Sequence, residues 1–430
     1  MSALPESSNV LSFEEARHLV EEHAAKLRPR GKELTPLLGA VGLFLAEPVF
    51  ADRDFPPFPR AARDGYALRA ADLRDIPVTL QIIGEIKAGA PENPEMRVED
   101  GQAVSIMTGA AAPPGADAVV MVEHTARIDT DSDNKVEIRR TISSGENIVP
   151  VGSEAKRGDR LLPQGMRLDH AAIGVAASVG RAHLLVYSKP RIAVLATGDE
   201  LVDVSTQPGR NQIRNSNTYS LAAQIRAAGG EPVLLPIAPD EPKRLRELIG
   251  DGLEADLLLI SGGVSMGKYD LVEQGLAELH AEFFFTAVKI QPGRPAVFGQ
   301  IPCSAGAPAR EGTSAPFTHK YFFGLPGNPV STMVTFELFA RPMVEALAGM
   351  QPRKLIFLHA KSKSEIKTKT GLKRFLPALL SGEFEHAEVE LAGWQGSGDI
   401  ATTARANCYV IIPPDRERIL AGEWVPVMMR

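Results

Sequence analysis

The chain has 430 residues, of which 44% are hydrophobic and 23% are charged, a composition that excludes a largely disordered or fibrous protein. Because domains typically hold roughly 100–200 residues, this length predicts about two to four domains. A formal net charge of −6 and an isoelectric point near 5.9 give no overall electrostatic attraction for nucleic acid or for an anionic membrane.

Two further features narrow the class of protein. Residues 1–20 lack a basic flank followed by an apolar core, and no segment approaches about 18 uninterrupted apolar residues, so we expect a soluble cytoplasmic protein. Cys303 and Cys408 lie far apart and outside any metal-ligand spacing. Their placement argues against both a disulfide framework and a structural zinc site.

The N-terminal part of the chain begins with a helix and continues with a β-type pattern. Ser12 followed by Glu15 is typical of a capping box and predicts a helix that continues to about Lys26. Between Val49 and Val136, short apolar runs are broken by Pro, Gly and Asp, which predicts a mostly β domain. Strands are expected at Val78–Ile83, Gln102–Met107 and Ala118–Val122.

The pattern becomes regular after Pro190. Strand-like apolar runs alternate with helical segments, which predicts a doubly wound α/β domain whose parallel sheet is covered on both faces. The predicted strands are Arg191–Ala196, Pro232–Pro236, Asp256–Ile260, Phe283–Ile290 and Lys320–Phe323. The predicted helices are Asn217–Ala228, Pro242–Ile249, Leu271–Leu279 and a long helix from Ser331 to about Ala348.

The remaining segments complete the domain organisation. Residues 302–319, rich in Ala, Gly, Pro and Ser, predict a surface insertion, and the β-type pattern after Pro352 predicts a small C-terminal β domain. The glycine-punctuated stretch 143–186, with a helical segment at Ala171–Val179, is expected to pack back on the first helix. The predicted domains are a discontinuous mixed linking domain at 8–50 and 144–186, a β-rich domain at 51–143, the α/β domain at 187–349, and a β domain at 350–430.

Loops that directly follow strands are the first candidates for a site, because ligands in open α/β sheets lie beyond the carboxyl ends of the strands. The loop Thr197–Leu201 carries carboxylates at Asp199 and Glu200, although Asp at such a turn is also typical of a cap. The loop Ser261–Gly267 predicts a nest of backbone amides for a phosphate or another oxyanion, unless it is a tight turn without ligand. Its candidate binding residues are Ser261, Gly262, Gly263, Ser265 and Gly267.

A third loop, Gly324–Ser331, contains two prolines and two glycines that fix an otherwise flexible turn. Ser331 is expected to cap the following helix, so that the positive end of the helix faces the crevice. The alternative is a plain helix entry. The candidate binding residues of this loop are Pro326, Gly327, Asn328, Pro329 and Ser331.

Charged side chains near these loops suggest a metal and a phosphate. Asp240 is expected to join Glu200 and Asp270 in a carboxylate cluster suited to Mg²⁺, which prefers oxygen ligands, although Asp240 could equally be a helix N-cap. Arg294 is suited to bind a phosphate through two parallel hydrogen bonds. The residues by themselves therefore predict an α/β domain that binds a phosphate-bearing ligand, and they do not name the ligand.

Seven motifs, taken together and in this order, resemble the molybdopterin molybdenumtransferase family, to which the cofactor-making domain of the scaffold protein gephyrin is related. Any one of them is weak, but the ordered set is specific and spans nearly the whole chain. The motifs are Arg63–Ala67, Ile106–Ala110 with Pro114–Val120, Gly145–Ile148, Thr197–Leu201, Ser261–Ser265 through Asp270, Pro292–Pro295, and Leu325–Ser331.

The resemblance implies a homodimer of four-domain subunits, in which the molybdopterin-binding α/β domain of one subunit faces the β domain of the other across a cleft. It implies adenylyl-molybdopterin and molybdate as substrates, with Mg²⁺ supporting hydrolysis that releases AMP. At matching positions it implies catalytic roles for Asp64, Thr108, Glu200, Asp240 and Asp270, and it leaves open which carboxylate binds Mg²⁺ and which moves protons. The glycine nest and Ser265 would hold the pterin phosphate, while Pro326 and Pro329 shape the wall. Enzymes that make or accept the cofactor are the further partners it implies.

Several positions depart from the usual family pattern. Gln291 stands where Lys is common, which removes a cation beside the expected anion site and leaves the choice between molybdate and tungstate open. The other departures are Arg63, Glu154 and Asn215. Two alternative functions are a scaffold role, as in gephyrin, and adenylylation of molybdopterin by a related α/β domain. The additional domains and the Asp64-Gly65-Tyr66 motif favour the insertion of molybdenum instead.

Overall fold

The computed structural model describes residues 10–91, 93, 96–130, 133–263, 271–303, 318–350 and 354–430. They form two compact units. Unit 1 comprises the described residues of Met1–Ala46, Gly165–Asp169 and His183–Arg430, and unit 2 comprises those of Glu47–Gln164 and His170–Ala182. The four domain boundaries given above stay a prediction. Residues 264–270 of the predicted nest and 304–317 of the predicted insertion lie outside the described residues.

The predicted capping box begins the N-terminal helix, which spans Phe13–Ala24. The Ser12 hydroxyl accepts a hydrogen bond from the Glu15 N–H, and the Glu15 carboxylate accepts one from the Ser12 N–H at 2.8 Å. These reciprocal bonds satisfy backbone amides that no helical carbonyl can reach. The Phe13 ring lies 6.2 Å from the Phe339 ring, so the helix packs against the helical layer of the central domain.

A six-stranded sheet forms the centre of unit 1. In spatial order its strands are Glu231–Leu234, Arg191–Ala196, Leu257–Ser261, Thr318–Leu325, Val297–Cys303 and Glu282–Phe285. The first four are parallel, as predicted, whereas Val297–Cys303 runs antiparallel to its neighbour and was not predicted. Gly299 and Pro302 within that strand weaken its sequence signal. The predicted strand Phe283–Ile290 is divided into Glu282–Phe285, Ala287–Val288 and Ile290–Gln291.

Helices cover both faces of the central sheet. Along Arg191–Ala196, Ile192 and Val194 belong to one apolar core, and Ala193 and Leu195 belong to the other. The covering helices are Ser216–Ala227, Pro242–Gly252, Leu271–Glu278 and the helical run from Pro329 to Leu347. The next strand in the chain, Glu231–Leu234, lies on one side of Arg191–Ala196, and the strand after it, Leu257–Ser261, lies on the other side. Such a switch of direction opens a crevice at the carboxyl end of the strand.

The last helical run of the central domain differs from its prediction. It begins with Pro329–Thr335, continues as a π-helical segment and ends with Arg341–Leu347. The prediction that Ser331 caps it was wrong. Pro329, with its fixed φ, occupies the first turn, so the capping position falls on Asn328, whose side chain makes no capping hydrogen bond.

The C-terminal part of unit 1 is a small barrel. Each of its five strands pairs with two others, so the ring closes and has no free edge. The strands are Leu358–Ser362, Lys373–Ser381, Glu388–Leu391, Cys408–Ile412 and Trp424–Met429. The first strand of the β-type pattern predicted after Pro352 begins at Leu358. Ile290–Gln291 of the central domain adds to the barrel beside Lys373–Ser381.

Unit 2 contains a second six-stranded sheet, which confirms the predicted β-rich region. Its strands, in spatial order, are Ala118–Met121, Gly65–Leu68, Gln102–Ile106, Val78–Ile86, Asp133–Ile138 and Thr125–Thr130. Tyr66, Leu68 and Val120 lie in the apolar core on one face, and Ala67 and Val119 lie in the core on the other. Both faces of its central strands are therefore buried.

Short elements connect these domains. The helices among them are Leu37–Ala40, Ala70–Leu73, Val122–His124, His170–Ser178, Phe384–His386 and Ile400–Arg405. The strands are Val10–Leu11, Lys32–Pro36, Val49–Phe50, Arg60–Ala61, Ile148–Val149, Arg160–Leu162, His183–Tyr187, Leu201–Val202, Ile213–Arg214, Ile366–Lys367 and Arg418–Ile419. Within the described ranges, no helix combines the length and the apolar character needed to cross a bilayer.

Candidate functional site

Three of the predicted loops begin side by side at the carboxyl edge of the central sheet. In the parallel register Ala196 lies beside Ser261, and Ser261 lies beside Leu325. A cleft of about 540 Å³ opens beyond these three strand ends. It brings together nine of the predicted site residues, namely Glu200, Asp240, Ser261, Gly262, Gly263, Pro326, Gly327, Asn328 and Pro329. We call it the first cleft.

A second cleft, of about 580 Å³, lies between the central domain and the C-terminal barrel. Gln291, Arg294 and Ser331 line it, together with Trp394–Ser397 of the barrel. Arg294 is exposed and makes no ion pair with any residue in the described ranges. Pro326 and Asn328 line both clefts, so the rigid proline-glycine loop is a wall common to the two.

Carboxylates gather at the edge of the first cleft. The Asp240 N–H donates to the Asp199 carboxylate at 3.0 Å, which joins the two acidic loops. Partial burial, followed by repulsion from Asp199 and Glu200, raises the pKa of Asp240 above its ordinary value. The helix that follows is capped at Glu241, so Asp240 is not the N-cap that the sequence allowed. Its carboxylate remains available to the cleft.

Gly198 determines where the Glu200 carboxylate lies. Its φ of 137° is in the region that favours glycine, and a Cβ at this position would lie 2.4 Å from a Glu200 carboxylate oxygen. Any larger residue would displace that carboxylate from the edge of the first cleft.

The described residues bring together two carboxylates at the first cleft but no group of three metal-ligating side chains. Glu200 and Asp240 are therefore two of the three predicted Mg²⁺ ligands, and Asp270 lies outside the described part of the chain. Mg²⁺ usually binds through one or two carboxylates and completes its shell with phosphates and water, so the chemistry of these two side chains is compatible with this ion.

The glycine nest differs in one respect from its prediction. Gly262 and Gly263 have φ values of 95° and 65°, and a Cβ on Gly263 would lie 2.5 Å from a Val272 methyl group. The conformation therefore requires glycine, as expected for a nest. The Gly262 N–H, however, donates to the Leu325 carbonyl oxygen at 3.1 Å. It extends the sheet and is not free to bind an anion.

Asn217, which the sequence did not single out, joins the loops of the first cleft. It lies in the first turn of Ser216–Ala227, and its amide group donates to the Gly327 carbonyl at 2.7 Å, the Ser261 hydroxyl at 2.9 Å and the Thr332 hydroxyl at 3.2 Å. Loss of this side chain would remove the hydrogen bonds that the Gly327 carbonyl and the Ser261 hydroxyl accept at the cleft wall, whereas the Thr332 hydroxyl would still donate to the Asn328 carbonyl. The sequence did contain a signal for Asn217. A helix that follows a strand of a parallel sheet begins at the carboxyl edge, so the polar residues of its first turn face the crevice.

Two predicted residues of unit 2 form a pair of their own. The Asp64 carboxylate accepts hydrogen bonds from the Thr108 N–H at 2.6 Å and from the Thr108 hydroxyl at 2.8 Å. These bonds hold the pKa of the exposed Asp64 carboxyl below its ordinary value. The residue after Asp64 must be glycine, because a Cβ on Gly65 would lie 1.9 Å from the Val120 carbonyl oxygen. Two motifs that read as separate turns therefore meet at one ionised carboxylate.

Comparison with protein families identifies the class first. Residues 11–180 match the N-terminal region, domains I and II, of the MoeA proteins, and residues 359–429 match their C-terminal region, domain IV. Residues 193–346 match a probable molybdopterin binding domain. The central domain is thus of the molybdopterin-binding type, placed within a multidomain protein as the sequence predicted.

Individual relatives make the assignment specific. The chain is 34% identical over 407 residues to a molybdopterin molybdenumtransferase of a Nostoc species, covering 92% of this chain and 88% of the relative. It is 32% identical over 438 residues to molybdopterin molybdenumtransferase 1 of Mycobacterium tuberculosis, covering 95% and 98%. A crystal structure of a molybdopterin biosynthesis moeA protein from Pyrococcus horikoshii OT3 matches with a TM-score of 0.73 at 26% identity, covering 98% of this chain and 100% of that one. The chain belongs to the molybdopterin molybdenumtransferase family.

Proposed function

We propose that this protein completes the molybdenum cofactor by inserting molybdenum from molybdate into adenylyl-molybdopterin, with hydrolysis of the adenylyl link and release of AMP. The observation that carries the proposal is the pair of clefts with a common wall at Pro326 and Asn328. The first cleft has carboxylates at its edge, and the second has the cation Arg294, which makes no ion pair within the described part of the chain. An organic substrate and an oxyanion can therefore lie next to each other without sharing ligands.

The chemistry of each cleft fits one of the two substrates. The first cleft lies at the switch point of a parallel sheet, where nucleotide-like ligands bind in this fold class. Gly263 supplies backbone for a pterin phosphate. Arg294 and Gln291 present hydrogen-bond donors in the second cleft, which suits molybdate or tungstate. Ser331 lines the same cleft from its buried position in the helix.

Mg²⁺ would be held by Glu200 and Asp240, which the fold places at the edge of the first cleft, with Asp270 as the predicted third ligand. Once bound, the ion would offset the negative charge of the substrate phosphates. The repulsion that raises the Asp240 pKa would be relieved by such a cation. Glu200 and Asp240 would also orient the substrate through its coordinated phosphate.

Asp64 and Thr108 are proposed to act from unit 2 as a charged pair in the same reaction. Thr108 stabilises the ionised form of Asp64, so that at neutral pH the carboxylate is ready to accept a hydrogen bond or a proton. We propose that a second copy of the chain supplies this pair, which makes the homodimer the active form. The cytoplasm is the proposed location.

The alternative functions are not favoured by the comparisons. The relatives matched over about nine tenths of the chain are named molybdopterin molybdenumtransferase, which is the proposed activity. The enzyme is a transferase of molybdenum cofactor biosynthesis.

AMP release tests the proposal directly. The purified protein is incubated with adenylyl-molybdopterin and Mg²⁺, with and without molybdate or tungstate, and AMP is quantified by chromatography. We expect release that depends on the oxyanion and on Mg²⁺. Oxyanion-independent release, or no release, contradicts the assignment. Adenylylation of free molybdopterin with ATP would support the adenylyltransferase instead.

Mixed dimers test the contribution of a second copy. Asp64→Ala and Asp240→Ala subunits, each inactive alone, are unfolded together and refolded as a mixture. If one copy completes the other, a fraction near one quarter of wild-type activity returns, on the order expected when one of two sites in half the dimers is intact. Activity that stays at the level of the separate variants would contradict the shared site.

A further inference from the structure

Two buried side chains in the wall of the first cleft have a polar atom without a hydrogen-bond partner among the described residues. They are Thr197, whose hydroxyl oxygen is unpartnered, and Asn217, whose carboxamide oxygen is unpartnered. Thr197 is 5% exposed and Asn217 is 9% exposed, and both line the cleft. An unpaired buried polar group destabilises a fold, so such groups usually have a partner in the functional state.

The hydrogen bonds of Asn217 fix the orientation of its amide group. The Gly327 carbonyl can only accept, so the group 2.7 Å from it must be the Asn217 NH₂. The carboxamide oxygen therefore points away from Gly327. Because a carbonyl oxygen also only accepts, its partner must be an N–H or O–H donor. A phosphate or molybdate oxygen without a proton cannot fill this role.

Thr197 follows the strand Arg191–Ala196 and is connected to Asn217 through Ser261. Its N–H donates to the Ser261 carbonyl at 3.0 Å, and Ser261 in turn receives the Asn217 amide on its hydroxyl. A Cβ on Gly263 would lie 2.8 Å from the Thr197 hydroxyl oxygen, so only glycine fits beside this hydroxyl. A hydroxyl both donates and accepts, unlike the Asn217 oxygen.

We propose that Thr197 and Asn217 are substrate-binding residues that together recognise an uncharged donor and acceptor edge of the substrate. This inference rests on the proposed function, whose substrate carries two heterocycles with such edges, the pterin and the adenine. Asn217 accepts from a ring N–H or amino group, and Thr197 bonds the adjacent atom. The pair selects for the heterocycle, while the charged groups of the clefts bind phosphate and oxyanion.

Thr197→Val tests the pair, since valine has nearly the same shape and lacks the hydroxyl. Removal of a hydroxyl that has no protein partner is expected to leave the Tm unchanged or raise it, while affinity for the substrate falls about three- to tenfold. Thr197→Ser keeps the hydroxyl and is expected to restore the affinity, with a lower Tm because a buried methyl group is lost. Thr403→Val is the matched control. Its hydroxyl donates to the Asp399 carbonyl at 3.0 Å, so this variant should lose stability and keep its affinity.

Equilibrium titrations with AMP and with adenylyl-molybdopterin distinguish the two heterocycles. If Thr197→Val weakens both ligands, the pair binds adenine, and if it weakens only adenylyl-molybdopterin, the pair binds the pterin. Asn217→Ala should weaken the same ligands as Thr197→Val, with an added loss of Tm from its own hydrogen bonds to the protein.

Unchanged affinity of Thr197→Val for both ligands, or a lower Tm like that of Thr403→Val, would overturn the inference. So would a different ligand pattern for Asn217→Ala. If the wild-type protein and Thr197→Val both bind and convert adenylyl-molybdopterin, the inference about Thr197 and Asn217 fails and the proposed function stands. A wild-type protein that neither binds nor converts it refutes the proposed function itself.

Discussion

The first cleft of unit 1 and the Asp64 pair of unit 2 use the same type of residue in opposite ways. In unit 2 the Thr108 hydroxyl donates to Asp64, so the polar groups satisfy each other at the surface. In unit 1 the Thr197 hydroxyl is buried without a partner among the described residues. A group that is already paired sets the charge of its neighbour, whereas an unpaired buried group is available to a ligand. The first arrangement suits catalysis and the second suits recognition.

The largest effect is expected from removal of the carboxylate that Thr108 stabilises. Asp64→Ala should lower the Tm only slightly, because Asp64 is exposed and loses its hydrogen bonds from Thr108, and should lower the rate of AMP release by about a hundredfold or more. Asp203→Ala is a matched control, since Asp203 likewise accepts from the N–H and hydroxyl of one residue, Ser205, and does not line the first cleft. Equal losses of rate in both variants would show that Asp64 has no special role.

The next effect concerns the backbone of the first cleft. Gly263→Ala should lower the free energy of unfolding by about 2 kcal/mol, because an L-residue is strained at this φ and its Cβ would collide with Val272. Gly250→Ala is the control, with no atom within 4 Å of its added Cβ and a helical position in Pro242–Gly252, so stability should rise by about 0.5 kcal/mol. Urea unfolding measures both. A Gly263→Ala protein as stable as wild type would contradict the described loop conformation.

A smaller effect is expected in the second cleft, where Gln291 stands at the position of the usual lysine. Gln291→Lys adds a cation at an exposed site that also contains Arg294, and should tighten molybdate binding by a few-fold. Because exposed charges are screened, the gain should diminish as the salt concentration rises. Calorimetric titration with molybdate and tungstate at two salt concentrations measures it. Tighter binding that is independent of salt would exclude an electrostatic cause.

The smallest effect is a titration shift in unit 2. Thr108→Val removes the hydroxyl donor to Asp64 and should raise the Asp64 pKa toward its ordinary value, because the carboxylate loses one of its stabilising bonds. Since the pKa is lower in the folded protein than in the unfolded one, this bond stabilises the fold above the unfolded pKa. That contribution is lost as the pH falls through the folded pKa. Carbon NMR of the Asp64 carboxyl measures the shift, and Asp203 in the same spectra should not move.

Local signals predicted much of the fold. The capping box at Ser12 placed the first helix, and the continuous apolar run Arg191–Ala196 predicted a strand buried on both faces. The strand Val297–Cys303 was missed because it contains Gly and Pro and pairs with a strand on the far side of the insertion. The start of Pro329–Thr335 was missed because Ser331 offered a cap, while the fixed φ of Pro329 favours an earlier start.

The site was predicted unevenly for a similar reason. Glu200 and Gly263 follow strands in the sequence, so their position at the carboxyl edge could be inferred from the strand pattern. Asn217 carries no such signal, because its importance comes from Ser261, Gly327 and Thr332, which are distant in the chain. The hydrogen bonds from Thr108 to Asp64 could not be predicted either, because each of the two motifs by itself has the composition of a turn.

The sequence by itself determined the α/β and β domains, the loops that carry the chemistry and, through the order of seven motifs, the family. Those properties depend on residue type and on spacing along the chain. The tertiary structure alone decided that the Gly262 amide donates within the sheet and that Asp240 is not a cap. It also decided that the Thr197 and Asn217 oxygens at the first cleft have no partner among the residues that the structure describes. Whether a polar group is satisfied depends on neighbours from other strands and helices, and only the folded chain brings those neighbours together.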